Sequence, residues 1–520
     1  MRIKLMIKFV LTLFIFSIGF SGKVSADNFT TGSTAKVFGT HEIVMKGPKD
    51  LTDPFAAKVD VIFSQGGKSS KSYGFYDGDG VWKVRFFVPR AGTWTWETNS
   101  QDEPRLDNLT GSFTATSSSL PGKLRVRANK TSIIENSRGE WFTFLGDTGY
   151  YLFHPKKSSL SKCKIFVQES AKAGLNVIRA NVGGNLRGAD SPLWYSRTQQ
   201  GLNFNVNVGK NDDACIQWML NTYPEIYIQL IPIPEKVTIF DSLPPNEREK
   251  ALRYLIGRYG AYANVFWLLR NDTNTPLTSG LNTFGADLKR LDPWNNLRAT
   301  GHTRRYNDPL WNSNWTNYSH LETAGDVSGL SADQAVSRKK YTWSGEDWYE
   351  TYPTLMSPTK SPYFFRRLFW SYIMSGGGAC YGGYWDRVAH MGTGMTHLKH
   401  IMPYFKSRKI DLGLYDFTHD ALATTTGATT NHPHVARRTG KSYLVYMPHE
   451  HPKSTTNLNT EIAQLKLNLT QENRRLFHVE WFNPQTAEKI REKDEFSGTI
   501  LTLSSPWAGT DVIVHLWSDA

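Results

Sequence analysis

The sequence predicts a multidomain protein, a central (β/α)8 TIM barrel flanked by two small antiparallel β-sandwich domains. Three observations predict it. The chain has 520 residues, more than one compact domain usually holds. Residues 123–408 alternate short apolar strand patterns with helical ones, as repeated β/α units do. Residues 30–118 and 409–520 instead show period-two alternation of β-branched and aromatic residues between Gly, Asp, Asn and Pro.

Residues 1–26 read as a signal peptide. Arg2, Lys4 and Lys8 precede an apolar run from Phe9 to Phe20, and Val24-Ser25-Ala26 offers a small-residue cleavage site before Asp27. The run is too short for a membrane span, and no Cys follows the site to carry a lipid. The expectation is bacterial export, secreted or periplasmic. Segment 30–118 then runs through AKVDVIF, YGFYDGDGVWKVRFFVP, GTWTWET and GSFTAT. Asp77-Gly78-Asp79-Gly80 reads as a turn, because the spaced acids and closing Glu of a calcium loop are absent.

The barrel segment opens with the strand WFTFLGDT, the helix SSLSKCKIFVQESAKAGL and the strand NVIRANV. EIYIQLIPIP, the helical NEREKALRYLIGRYG and the strand NVFWLLRND follow. A doubly wound sheet is the weaker alternative, since GGNLRG lacks the GxGxxG spacing of a phosphate loop. The last segment returns to alternation in KSYLVYMP, FHVEWFNPQTAEKI, GTILTLSS and TDVIVHLW.

The net charge is +13, and the leader's Arg2, Lys4, Lys8 and Lys23 account for four of it, leaving +9. The excess is scattered, which argues against a nucleic-acid partner. Ordinary solubility charge explains it first; attraction of a sulfated or uronic polysaccharide is the functional alternative. Cys163, Cys215 and Cys380 form neither a disulfide framework nor a metal spacing. Buried free thiols are the expectation, with a Cys163–Cys215 bridge left open. NHPHVARR (431–438) lacks a third spaced ligand for zinc, and no cofactor is implied.

Reacting side chains of such barrels come from the C-terminal ends of strands. That rule selects Asp147, Asn181, Asn271-Asp272, His302, Glu322, Glu346, and the group Tyr381, Tyr384 and Trp385. Cleaving a glycosidic bond takes two carboxyls, one to protonate the leaving oxygen and one to attack the anomeric carbon or activate water. Asp272 ends the fourth strand and Glu346 the seventh, which face each other across a barrel mouth. Asp272 is the candidate acid/base and Glu346 the candidate nucleophile. Asn271 would bond a hydroxyl beside the reacting carbon. Trp343, Trp348 and Trp385 are candidate sugar platforms. Bland readings stand beside these. Asp147 could cap a helix, His302 could be a packed barrel-end residue, and Glu322 could be a surface loop acid or a runner-up catalytic acid, with a supporting role the favoured reading. Asp347 and Glu350 read as solvated loop acids.

Asn271-Asp272 after an apolar strand, and Gly345-Glu346 followed by Tyr349-Glu350, resemble the strand-four and strand-seven signatures of apiosidase-like glycoside hydrolases. WFTFLGDTGYYLFHP and AGLNVIRANV resemble that family's first two strand blocks. VEWFNPQT (479–486) resembles the C-terminal sandwich, sometimes labelled collagen-binding-like, that accompanies such barrels. The resemblance implies a carbohydrate-cleaving barrel with this acid pair. Two departures stand out: Arg270-Asn271-Asp272 where the family often has Gly-Gly-Asp, and Gly-Glu-Asp where it has Gly-Glu-Pro. Arg270, Arg304 and Arg305 near the mouth would suit an anionic plant or red-algal glycan.

Two function classes follow: an exported retaining glycosidase acting on a polysaccharide or oligosaccharide, and a non-catalytic glycan-binding protein on a barrel scaffold. A polysaccharide lyase is a weaker third, because it needs a Tyr, His or Lys base rather than an acid pair. Sugar, linkage, exo or endo action and oligomeric state stay open at this point.

Overall fold

The computed structural model describes residues 29–184, 193–199, 201–235, 237–271, 278–301, 310–322, 339–346, 349–350, 361–383, 392–419, 423–426, 433–449 and 462–519. Its centre is a parallel eight-stranded sheet. The strands are β1 (Leu145–Thr148), β2 (Val177–Asn181), β3 (Tyr227–Ile231), β4 (Val265–Leu268), β5 (Arg298–Ala299), β6 (Ser319–Glu322), β7 (Thr342–Glu346) and β8 (Gly378–Tyr381). They pair in the order β5-β4-β3-β2-β1-β8-β7-β6. Asn317 N donates to Arg298 O at 3.1 Å across the remaining gap, so the barrel is nearly closed.

The helices are α1 (Leu160–Lys172), α2 (Val206–Thr222), α3 (Pro245–Leu255), α4 (Thr278–Leu291), α5 (Ser361–Met374) and α6 (Ile401–Ser407). Ser159 and Asn205 cap α1 and α2 by accepting from first-turn amides, and proline starts α3. The two-residue period of each strand sorts side chains between layers. Val177 faces a barrel interior filled by Phe144, Tyr227, Phe266, Tyr318, Tyr341 and Trp343. Ile178 and Ala180 face the helix layer.

Residues 29–116 form a sheet-rich N-terminal segment around Phe63, Trp82, Phe86, Trp94, Trp96 and Phe113. Asp77–Gly80 is a turn, with Asp79 at φ 52° between glycines at 91° and 73°. A buried ion network joins this segment to the barrel. Arg85 grips Asp213 of α2 through two bonds of 2.8 and 2.9 Å, and Arg258 bonds both Asp213 (2.7 Å) and Asp77 (2.9 Å). The C-terminal segment places one six-strand hydrogen-bonded path beside a three-stranded sheet, both feeding one apolar core. It is pinned to α5 by Arg366 and Asp511 at 2.6 Å, both buried.

Cys163 of α1 and Cys215 of α2 form a disulfide, where free thiols were the expectation; Cys380 is a buried free thiol. The two helices become neighbours only once β2 lies between their ends. Among the described residues, no helix is long and apolar enough to cross a membrane.

Candidate active site

β7 carries the central acid by breaking its own alternation. Tyr341 and Trp343 face inward, so strict alternation would send Glu346 toward the helices. In the ladder, however, Leu321 lies opposite Ser344 and Glu322 opposite Glu346, which leaves Gly345 as an extra residue. Such a bulge re-aims the next side chain. Only glycine fits: a Cβ at 345 would stand 2.0 Å from the His320 ring. The Ser-Gly-Glu order is thus what turns Glu346 into the barrel.

Four side chains close on its carboxylate. Tyr150 donates to Oε2 and Tyr349 to Oε1. Arg179 Nη1 donates to Oε2 at 3.2 Å, and Asn271 Nδ2 lies 3.5 Å from the same oxygen. Burial alone would raise the Glu346 pKa, but the Arg179 guanidinium and then the two tyrosine hydroxyls outweigh it and hold it below the ordinary carboxylate value. An anion held this way can attack carbon or activate water, and it is a poor proton donor.

Arg179 is itself wholly buried and braced. Its Nη2 donates to Asn271 Oδ1 at 2.6 Å and its Nε to Gln229 Oε1 at 3.1 Å; the guanidinium lies 5.0 Å over the Tyr150 ring. Gln229 Nε2 donates to Tyr318 OH at 2.8 Å, whose hydroxyl donates to Trp267 O. His320 Nε2 sits 3.4 Å from Arg179, and burial together with that cation drives its pKa well down, so the ring is neutral. Asn271 reaches this cluster because β4 ends at Leu268. Continued alternation would have given it the outward side of Leu269.

Two further expected residues sit at the same end. Asn181 follows Arg179 on the inner side of β2; its amide is fully buried, with neither atom hydrogen-bonded among the described residues. Glu322 is buried opposite Glu346 in the β6–β7 ladder. Asp272, His302, Trp348, Tyr384 and Trp385 lie outside the described residues, as do Asp347, Arg304 and Arg305.

Several expectations are corrected. Asp147 shares the outward side of Leu145, is fully buried and accepts from Ser170 Oγ of α1 at 2.7 Å, so it neither faces the mouth nor caps a helix start. Trp343 has no exposed surface. Its ring lies against Gly146, where a Cβ would meet it at 2.5 Å, and it cannot serve as a sugar platform. Tyr381 faces the helix layer beside Phe365. Glu350 is buried rather than solvated: it accepts from Tyr381 OH (2.5 Å) and from the Thr393 and Gly394 amides (2.7 and 3.0 Å). Arg270 is committed to Asp241 at 2.7 Å.

Arg179, Tyr150, Gln229 and His320 were not anticipated. The available signal was an arginine at an inward position of the strand VIRAN, which demands a buried counter-charge. Among the described residues, no group of three or more His, Cys, Asp or Glu could hold a metal ion.

Comparison with known proteins agrees with this architecture. Residues 128–391 match the model of the apiosidase-like catalytic domain, and residues 34–101 match a domain of unknown function, DUF5060. No curated protein matches the chain. A Bacteroides vulgatus ATCC 8482 protein assigned as a glycoside hydrolase superposes with TM-score 0.70 at 16% identity, covering 94% of this chain and 100% of that one. A family 5 glycoside hydrolase from the same organism gives TM-score 0.58 at 15% identity, covering 77% and 95%. These two likenesses speak to fold. The family match spans the barrel that carries Glu346, and the chain belongs to the apiosidase-like family of glycoside hydrolases, with a carbohydrate as its substrate.

Proposed function

We propose that the protein is an exported retaining glycosidase of plant or algal polysaccharides, with Glu346 as nucleophile and Asp272 as acid/base. The observation that carries this reading is the carboxylate of Glu346, held ionised inside the barrel by Arg179, Tyr150, Tyr349 and Asn271. In the first step a Glu346 oxygen attacks the anomeric carbon while Asp272 gives its proton to the departing oxygen. Water then attacks the glycosyl–enzyme ester, Asp272 takes the water's proton, and Glu346 leaves as the carboxylate.

Arg179 keeps the nucleophile charged before attack and stabilises it again as it departs. Asn271, fixed by Arg179, would bond the hydroxyl next to the reacting carbon. Asn181 would satisfy its unpaired amide on another hydroxyl, since a buried amide without partners costs roughly 1–3 kcal/mol. Glu322, His302, Trp348, Tyr384 and Trp385 complete the proposed sugar contacts. The flanking segments are read as β-sandwiches with boundaries near 30–118 and 409–520, around a barrel at 123–408. The leader at 1–26 and the Cys163–Cys215 disulfide both favour an oxidising, exported setting.

The test is reducing-end release by wild type and Glu346→Gln on neutral and anionic plant and algal polysaccharides, with ultraviolet absorbance followed in parallel. Release by wild type alone, without new unsaturation, supports the reading. Equal release by Glu346→Gln would overturn it, and an unsaturated product would indicate a lyase.

A further inference from the structure

A polar cavity of about 400 Å3 opens where the end of α6 meets the larger C-terminal sheet. Arg127 lies 3.6 Å from Asp411, and Lys130 bonds Tyr415 O, which ties this corner to the strands leading into β1. The cavity therefore sits toward the N-terminal end of the barrel, away from the strand ends that carry Glu346.

Its lining follows from local structure. Arg408 and Lys409 come directly after α6. Arg438 and Lys441 flank a tight turn closed by Lys441 N on Arg438 O at 2.8 Å, with Gly440 at φ 67°. That turn brings two cations to one rim. In the adjoining ladder Ser442 lies opposite Trp517 and Leu444 opposite His515, so these four share one face of the sheet. Leu444 packs with the barrel helices, which fixes the face as the one turned toward the barrel.

The charge balance is one-sided. Among the described residues, Arg408, Lys409, Arg438 and Lys441 line the cavity and no carboxylate does. Glu480 pairs with Arg408 at 2.8 Å. Lys409, Arg438 and Lys441 form no ion pair among the described residues. The floor is polar and buried. Ser442 Oγ accepts from Tyr415 OH at 2.8 Å and meets His515 Nε2 at 3.0 Å, while His515, 4% exposed, leaves Nδ1 without a partner among the described residues. Burial, then Arg408 and Arg491, push the His515 pKa down to about 3, so the ring adds an orphan polar atom and no charge. Gathering uncompensated cations in a concavity is unfavourable by itself and becomes favourable around an anion.

We propose that this cavity is a second carbohydrate site, binding an anionic group of a polysaccharide, either a sulfate ester or a uronate carboxylate. It would hold the polymer on the enzyme independently of the catalytic mouth. Its size lies within the range of small-molecule sites, enough to take one charged sugar unit.

The test is native electrophoresis of the full chain in gels containing polygalacturonate, sulfated galactan or neutral galactan. The proteins are wild type, Glu346→Gln, the double variant Arg438→Ala/Lys441→Ala and a control double variant Lys46→Ala/Lys68→Ala. Thermal melts of each verify folding, and the single variant Lys441→Glu repeats the test with charge reversal. Wild type, Glu346→Gln and the control are expected to be retarded by at least one anionic polymer and not by the neutral one. Arg438→Ala/Lys441→Ala is expected to bind about ten-fold more weakly. Retardation by polygalacturonate alone assigns the carboxylate, and by sulfated galactan alone the sulfate. Unchanged retardation of the double variant, an equal loss in the control, or no retardation of wild type would overturn the proposal. Because Glu346→Gln retains the cavity, the outcome is independent of the catalytic assignment.

Discussion

Arg179 Nη1 lies 3.2 Å from Glu346 Oε2, while Nη2 of the same guanidinium lies 2.6 Å from Asn271 Oδ1. One buried cation on β2 thus sets the charge of the acid on β7 and the orientation of the amide beyond β4. The whole candidate site hangs on this link across three strands.

Replacing Arg179 by Met leaves the largely buried Glu346 without its main counter-charge. Burial then dominates and the carboxyl pKa rises. The acid limb of the kcat/KM profile should move to higher pH, and activity should fall about a hundred-fold or more. Stability should drop by about 3–5 kcal/mol, the usual cost of stranding one partner of a buried pair. A pH–rate profile with a urea titration checks all three.

Gly345→Ala should place its Cβ in the His320 ring, at 2.0 Å, and disturb the bulge that aims Glu346. Overpacking of this kind costs about 1–3 kcal/mol. The double variant Gly345→Ala/His320→Ala should recover part of the lost stability, which a double-mutant cycle in urea would measure.

Arg85→Met should loosen the N-terminal segment from the barrel by leaving Asp213, among the described residues, with Arg258 as its one remaining cation beside the Tyr262 hydroxyl. A loss of about 3–5 kcal/mol is expected, seen as a lower Tm. Activity well below that Tm should hardly change, because neither residue approaches Glu346.

The Cys163–Cys215 bridge closes a loop with a sequence separation of 52. Chain-entropy arguments give about 4 kcal/mol for a loop of that order. Paired Cys163→Ser and Cys215→Ser substitutions should therefore lower Tm, and dithiothreitol should destabilise wild type and leave the double variant unmoved.

Much of the fold was legible because strand and helix periods differ. Seven strand ends, those carrying Asn271 and Glu346 among them, could be counted from the sequence. What the count lacked was side. Asp147 and Tyr381 stand at strand ends yet share the outward face of Leu145 and Ala379. Glu346 points inward only because Gly345 adds a residue, and no period announces a bulge. Trp343 lies where alternation puts it, but how deep it packs depends on Gly146 from a strand two places away. The role of Arg179 is not local, because its partners come from β3, β6, β7 and the ends of β1 and β4. The cysteine pair carries no local signal, since its helices meet only in the finished barrel.

Chemical rescue tests the central claim most directly. With an activated aryl glycoside of whichever sugar the polysaccharide panel identifies, Glu346→Ala should be almost inactive. Added azide should restore turnover and yield a glycosyl azide of inverted configuration, because the anion occupies the place of the missing nucleophile. Hydrolysis by Glu346→Ala at the wild-type rate, or rescue giving an azide of retained configuration, would contradict the assignment of Glu346 as the nucleophile.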